Sequence, residues 1–144
     1  MSVNVKIKLL DEECMPYKAT EGSVGYDLKA RKHVVIPPHE WRVVPAGFKM
    51  ELPAGYEAQI RPRSGLASKH GITVLNTPGT IDSDYRGEIG VILINHSHKH
   101  FVVEKGMRIA QMVIKRVEDT TIQVVEDLTD TNRGAGGFGS TGLG

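Results

Sequence analysis

The sequence predicts an all-β fold, a sandwich or barrel of short strands, on three observations. Apolar and polar residues alternate at period two in short runs rich in β-branched side chains. Proline and glycine punctuate those runs, at Pro37, Pro45, Pro53, Gly55, Gly79, Gly87 and Gly106. Only one stretch, "GLASKHG", could carry a short helix, because nothing else holds a 3.6-residue period for long.

The elements follow in order. "VNVKIKL" sets Val3, Val5, Ile7 and Leu9 against Asn4, Lys6 and Lys8, the pattern of a half-buried strand. "EGSVGYDLKA" is a loop entering a strand, with Asp27 near its start. "VVIPP" and "WRVVPAGFKMELP" read as strands that stop at prolines. "YEAQIR" alternates Tyr56, Ala58 and Ile60 with Glu57, Gln59 and Arg61, and Pro62 ends its ladder bonding. Asn76 to Gly79 is a tight turn with Pro78 and Gly79 as its chemistry. "IGVILIN", "HFVVE", "AQMVIKRV" and "TIQVV" complete the strand-like runs. The last segment, "RGAGGFGSTG" at 133–142, is too poor in apolar residues for a core strand. The chain therefore divides into a body, 1–132, and a glycine-rich arm, 133–144.

Bulk properties exclude several classes. A chain of 144 residues is one domain's worth and can bury a core without disulfides. A net charge of +1 gives no electrostatic case for a nucleic-acid binder. Cys14 is the only cysteine, which excludes an internal disulfide and a multi-cysteine zinc site. The opening "MSVNVKIKLL" lacks the basic and apolar blocks of a signal peptide, and no apolar run approaches a membrane span. A reducing, cytoplasmic setting is expected, with no membrane partner.

Five stretches carry candidate chemistry. In "RPRSGLASKHG", Arg63, Ser64 and Gly65 combine a forked cation, a hydroxyl and a residue that lets backbone come close, which suits a phosphate. An ordinary strand-to-helix turn with Ser64 as N-cap also accounts for it. In "NTPGTIDSDYRGEIG", Asp82, Asp84 and Tyr85 crowd together before Arg86, either as a site or as a polar hairpin in which Asp84 pairs with Arg86. Gln111 interrupts an otherwise apolar strand, as a bonded or functional amide or as an edge-facing side chain. Asp27 is the fourth candidate, with a plain turn residue as its alternative. The fifth is the arm, where Gly134, Gly136 and Gly139 match the dinucleotide fingerprint G-x-G-x-x-G. That fingerprint needs a helix after it, and only five residues follow Gly139. "HSHKH" places His96, His98 and His100 at alternate positions between two strands and reads as a solvated turn, not a metal site.

"GSVGYDL", "RPRSGLA", "NTPGTIDSDYRGEI", "KGMRIAQMV" and "RGAGGFGSTG", in that order, resemble the five motifs of the homotrimeric dUTPase family, the deoxyuridine triphosphate nucleotidohydrolases. The resemblance spans effectively the whole chain. It implies a distorted jelly-roll that trimerises, with three active sites between subunits. Each site takes the hairpin motif from one subunit, three motifs from a second and the arm from a third. It implies hydrolysis of dUTP to dUMP and pyrophosphate, which lowers dUTP and supplies dUMP for dTMP synthesis.

Carried over residue by residue, the resemblance makes Asp82 the carboxylate that orients and deprotonates water attacking the α-phosphate. Magnesium bridges the phosphates, with Asp27 contacting it through water. Arg63, Ser64 and Gly65 form the phosphate-binding turn, and Gln111 holds the α-phosphate side. The hairpin residues Asn76, Gly79, Thr80 and Ile81 read the uracil edge, and Gly90 brings backbone to the base. Tyr85 stacks on deoxyribose and leaves no room for a 2′-hydroxyl. In the arm, which orders over nucleotide, Phe138 stacks on uracil and Arg133 approaches the γ-phosphate. Gly139, Ser140 and Thr141 bring donors to the phosphates. Two rivals are a dCTP deaminase, which shares fold and trimer but attacks the base, and a non-catalytic capsid-like jelly-roll. The complete "GTIDSDYRG" hairpin and the Gly-Phe-Gly arm favour dUTP hydrolysis over both.

Overall fold

The structure is a computed structural model that describes residues 2–143. Its strands are β1 (Lys6–Leu9), β2 (Tyr26–Lys29), β3 (Val34–Ile36), β4 (Trp41–Pro45), β5 (Phe48–Glu51) and β6 (Tyr56–Arg61). After one helix, α1 (Ser64–His70), come β7 (Ile72–Val74), β8 (Gly79–Ile81), β9 (Gly90–Asn95), β10 (Phe101–Val103) and β11 (Arg108–Arg116). This is the predicted all-β jelly-roll of short strands. It is divided into a four-stranded sheet, β2-β11-β6-β8, a three-stranded sheet, β4-β9-β7, and two ribbons, β1-β5 and β3-β10. Every pairing is antiparallel. No helix among the described residues is long and apolar enough to cross a membrane.

The core follows from the alternation. In β6, Ala58 and Ile60 are buried while Glu57, Gln59 and Arg61 stay partly exposed, as period two requires. Phe48, Leu28, Ile36, Ile72, Leu93 and Ile109 are the large side chains sealed at the centre. Asn95 is the one buried polar residue among those described. Its amide donates to the Ile36 and Lys99 carbonyls at 2.9 and 2.7 Å, and its Oδ1 accepts from the Ser97 N–H and hydroxyl. That fixes the turn holding His96, His98 and His100, which are exposed as expected of a solvated turn.

Four sequence expectations need correction. β1 starts at Lys6, so Val3 and Val5 lie outside it. "WRVVPAGFKMELP" is two strands, because Gly47 turns the chain at φ +79° with no room for a Cβ beside Cys14. Ser64 is the first helical residue of α1; Arg63 holds the N-cap position and makes no side-chain capping bond. "TIQVV" is no strand: residues 121–125 lie beyond β11, without a ladder partner in this chain, and Ile122 and Val124 are 96% and 93% exposed. β-propensity expresses a fit to a half-buried pleated surface, and this chain offers the segment none.

Candidate active site

The chemistry-bearing residues fall into two groups on opposite parts of the four-stranded sheet. The first is built on β11, which is central and ladders on both sides. Gln111 stands opposite Asp27 of β2 and opposite Arg61 of β6. Residues directly opposite in an antiparallel ladder share a face, so Asp27, Gln111 and Arg61 form one polar row across three strands. Gln111 is therefore no edge residue; its amide donates to the Pro62 carbonyl at 3.2 Å. Asp27 is mostly enclosed, with its side chain 16% exposed and Oδ2 3.7 Å from the Arg108 guanidinium. Arg63, just past the end of β6, donates to the Arg108 carbonyl at 3.1 Å and so belongs to the same group. Ser64 and Gly65 open α1 in solvent, and a Cβ on Gly65 would meet nothing.

The second group is built on β8 and the turn after it. A cleft of about 200 Å³ is lined by Thr80, Ile81, Asp82, Tyr85, Ile89 and Gly90. Complete small-molecule pockets span roughly 300–1,000 Å³, so this cleft is smaller than a complete pocket. Asp82 is exposed at its rim. Gly79 is buried, and a Cβ there would press on Ile60 and Asn76, so a glycine lets the hairpin lie flat on β6. At Gly90 a Cβ would stand 2.9 Å from Val43. The polar hairpin pairing Asp84 with Arg86 does not occur. Arg86 donates to the Ser83 carbonyl at 2.6 Å, and its ion-pair partner is Glu51 at 3.7 Å.

Ladder geometry separates the two groups. Ile81 stands opposite Ala58 on β6, so Asp82 lies at the far end of that strand from Arg61. Four residues of strand amount to about 13 Å, and the three strand spacings from β8 to β2 add about 14 Å sideways. Within one chain, then, Asp82 cannot serve the same phosphate as Asp27, Gln111 and Arg63.

The arm makes turns of its own. Arg133 donates to the Gly136 carbonyl at 2.7 Å, and Gly139 takes φ +81°. Gly139, Ser140 and Thr141 are exposed, and Phe138 is 114% exposed, packed on nothing in its own chain.

Three positions that matter here went unsingled in the sequence, Gly25, Arg31 and Glu88, and a fourth, Gly87, was read there only as a turn residue. At Gly25 a Cβ would stand 2.9 Å from Gln111 Oε1, and at Gly87 it would collide with the Tyr85 hydroxyl. The other two are Arg31 and Glu88. Arg31 Nε and Nη2 donate to the two oxygens of Glu88 at 2.8 and 2.9 Å. Arg31 and the Gly47 N–H beside Glu88 hold its carboxyl below the usual carboxylate range, against a smaller opposing effect of burial. The two glycines had a signal, each lying two residues from a candidate aromatic or acid; the ion pair spans 57 residues and had none.

Among the described residues no three His, Cys, Asp or Glu side chains gather to hold a metal. The carboxylate of the first group is Asp27, opposite Gln111.

Comparison with known proteins gives the family and the fold. The family model described as dUTPase matches residues 11–142. The deoxyuridine 5'-triphosphate nucleotidohydrolase of Maricaulis maris is 54% identical, over 98% of this chain and 97% of its own. That of Nautilia profundicola is 57% identical over 97% and 99%. The Staphylococcus bacteriophage 80alpha dUTPase, solved with dUpNHpp, superposes with a TM-score of 0.88 at 27% identity, covering 97% of this chain and 99% of that one. A phage phi11 dUTPase of S. aureus, whose structure reveals coordination of a structural Mg(II) ion, shares the fold with a TM-score of 0.81 at 23% identity, over 88% of this chain and 99% of that one.

The Glu88 pair predicts an acid response. A carboxyl whose folded pKa is depressed contributes stability that is present above the unfolded value, here the ordinary 4.5, and is lost as pH falls through the folded one. Glu88→Gln should cost about 1–2 kcal/mol at pH 7, allowing for partial exposure. The gap to wild type should narrow below about pH 4.5. Thermal melts of both proteins from pH 7 to pH 3 check it; a gap independent of pH contradicts it. Matched in family model, in sequence over nearly its full length and in fold, the chain belongs to the dUTPase family.

Proposed function

We propose that this chain hydrolyses dUTP to dUMP and pyrophosphate at sites assembled from its two residue groups on neighbouring subunits of a homotrimer. The observation that carries this reading is the separation of Asp82 from the Asp27–Gln111–Arg61 row. Chemistry needing both must draw them from different chains. Exposed apolar side chains support association: Trp41 and Val43 on β4, and Ile122, Val124 and Leu128 beyond β11.

In the assembled site, Asp82 would accept a proton from water as the water oxygen bonds to the α-phosphorus. The bond from that phosphorus to the α–β bridging oxygen breaks, and pyrophosphate leaves with the electron pair. Ser64 and Arg63 would meet the charge that develops on the leaving group, and Gln111 the α-phosphate oxygens. Thr80, Ile81 and the Asn76 turn would read the uracil edge, where backbone donors leave a cytosine amino group unpaired. Gly90 lines the same cleft and would bring backbone to the base. Tyr85 would cover the sugar.

The donor set suits magnesium, which binds one or two carboxylates together with substrate phosphates and keeps several waters. Asp27 would hold it through water. When bound, the ion neutralises phosphate charge. The arm, 133–144, would close over the nucleotide, with Phe138 on the base and Arg133, Gly139, Ser140 and Thr141 on the phosphates. Its glycines permit close approach, and ligand contacts offset the entropy of ordering. Cys14, free and buried, supports a reducing cytoplasmic setting.

Asp82→Asn should keep nucleotide affinity near wild type and slow turnover by roughly two to four powers of ten, the usual worth of a positioned base. Single-turnover pyrophosphate release beside a binding titration measures this; near-normal turnover would remove Asp82 from its role. Deleting the chain from Arg133 onward should lower kcat/KM for dUTP by about 10²-fold or more. The melting temperature should stay within about 2 °C, because Phe138 packs on nothing in its own chain. Loss of folding on truncation would mean that the arm is structural.

A further inference from the structure

Tyr85 is 46% exposed, yet a ring that excludes a 2′-hydroxyl has to stay in one place. One polar contact of the ring is its hydroxyl, which donates to the Glu88 carbonyl at 3.0 Å. The turn is tight enough that a Cβ on Gly87 would strike that hydroxyl. The position of the ring therefore depends on the Glu88 peptide.

That peptide is held from both sides. Ile89 is buried, donates to the Phe48 carbonyl at 2.9 Å and accepts from the Ala46 N–H at 2.8 Å. The Glu88 carboxylate accepts both prongs of the Arg31 guanidinium and, at 3.0 Å, the Gly47 N–H. Arg31 is anchored in turn, its N–H donating to the Pro45 carbonyl at 2.8 Å. The Arg31 and Glu88 side chains are 32% and 24% exposed, so the pair is partly withdrawn from water. A two-pronged guanidinium–carboxylate bond fixes orientation as well as distance. Pairs of this kind are weak evidence for stability alone.

We infer that Arg31 and Glu88 are positioning residues for Tyr85, and that their ion pair sets how strongly the enzyme rejects ribonucleotides. The inference rests on the reading that Tyr85 covers the deoxyribose. Neither residue touches the nucleotide. Each acts through the Glu88 carbonyl on the Tyr85 hydroxyl, so loosening the pair frees the ring and makes room for a 2′-hydroxyl. A role confined to stability would lower the melting temperature without changing the choice of sugar.

The test is the ratio of kcat/KM for dUTP to that for UTP. It is measured well below each melting temperature for wild type, Glu88→Ala, Arg31→Met, Arg31→Lys, Tyr85→Phe and Tyr85→Ala. Glu88→Ala and Arg31→Met should each lower the ratio about 10-fold, with kcat for dUTP changed by less than about 3-fold, and Tyr85→Phe should lower the ratio to a similar extent. Arg31→Lys keeps the charge but not the fork and should restore only part of the ratio. Combining Tyr85→Phe with Glu88→Ala should add little, because both break one chain of contacts. If Glu88→Ala does not fold, Tyr85→Phe and Arg31→Lys carry the test, since each keeps most of its side chain in place. An unchanged ratio in Glu88→Ala, Arg31→Met and Tyr85→Phe, with a lowered ratio in Tyr85→Ala, would overturn the clamp and leave the sugar reading standing. An unchanged ratio in Tyr85→Ala would overturn both.

Discussion

The antiparallel ladder of β11 with β2 and β6 is the constraint on which the rest of the site depends. Because opposed residues share a face, three strands from distant parts of the sequence deliver Asp27, Gln111 and Arg61 into one row. The same β6 then carries β8 on its other side, and the antiparallel sense sends Asp82 away from that row. A single polypeptide thus presents the candidate residues as two separate groups. In the proposed function a second copy of the chain completes them, and the exposed apolar residues on β4 and beyond β11 would give such copies something to bury.

Glycine governs the close approaches at both half-sites. Gly25 makes room for the Gln111 amide, Gly79 lets the hairpin lie on Ile60, and Gly87 lets the Tyr85 hydroxyl reach the Glu88 carbonyl. Each sits where a methyl group would press on a neighbouring side chain. The Arg31–Glu88 pair does for the Tyr85 turn what ladder bonds do for Gln111: it converts an exposed, floppy position into a fixed one.

How much of this was legible in the sequence depended on range. Period-two alternation located β6 residue by residue, since burial of one sheet face is a local property. The short helix was legible from "GLASKHG", and the family from five motifs in order. Long-range facts were not. Gln111 could not be told from an edge residue until β11 proved central. The partner of Arg86 is Glu51, far upstream, and not the adjacent Asp84. "TIQVV" has strand composition but no neighbouring edge within its own chain, and composition says nothing about neighbours. The Arg31–Glu88 pair, which spans 57 residues, left no local trace.

The central claim is that each active site is shared between subunits, and mixing two inactive variants tests it most directly. One carries Asp82→Asn with the arm intact; the other keeps Asp82 and lacks residues 133–144. They are unfolded and refolded together in equal amounts. In a cyclic trimer a site is competent when the chain giving the hairpin has Asp82 and the neighbour giving the arm still has it. Random assembly makes about three-quarters of trimers mixed, each with one competent site of three, so activity should recover to roughly a quarter of wild type. Activity at background, with mixed trimers confirmed by mass, would contradict the sharing of hairpin and arm between subunits and return each arm to the chain that gives the hairpin.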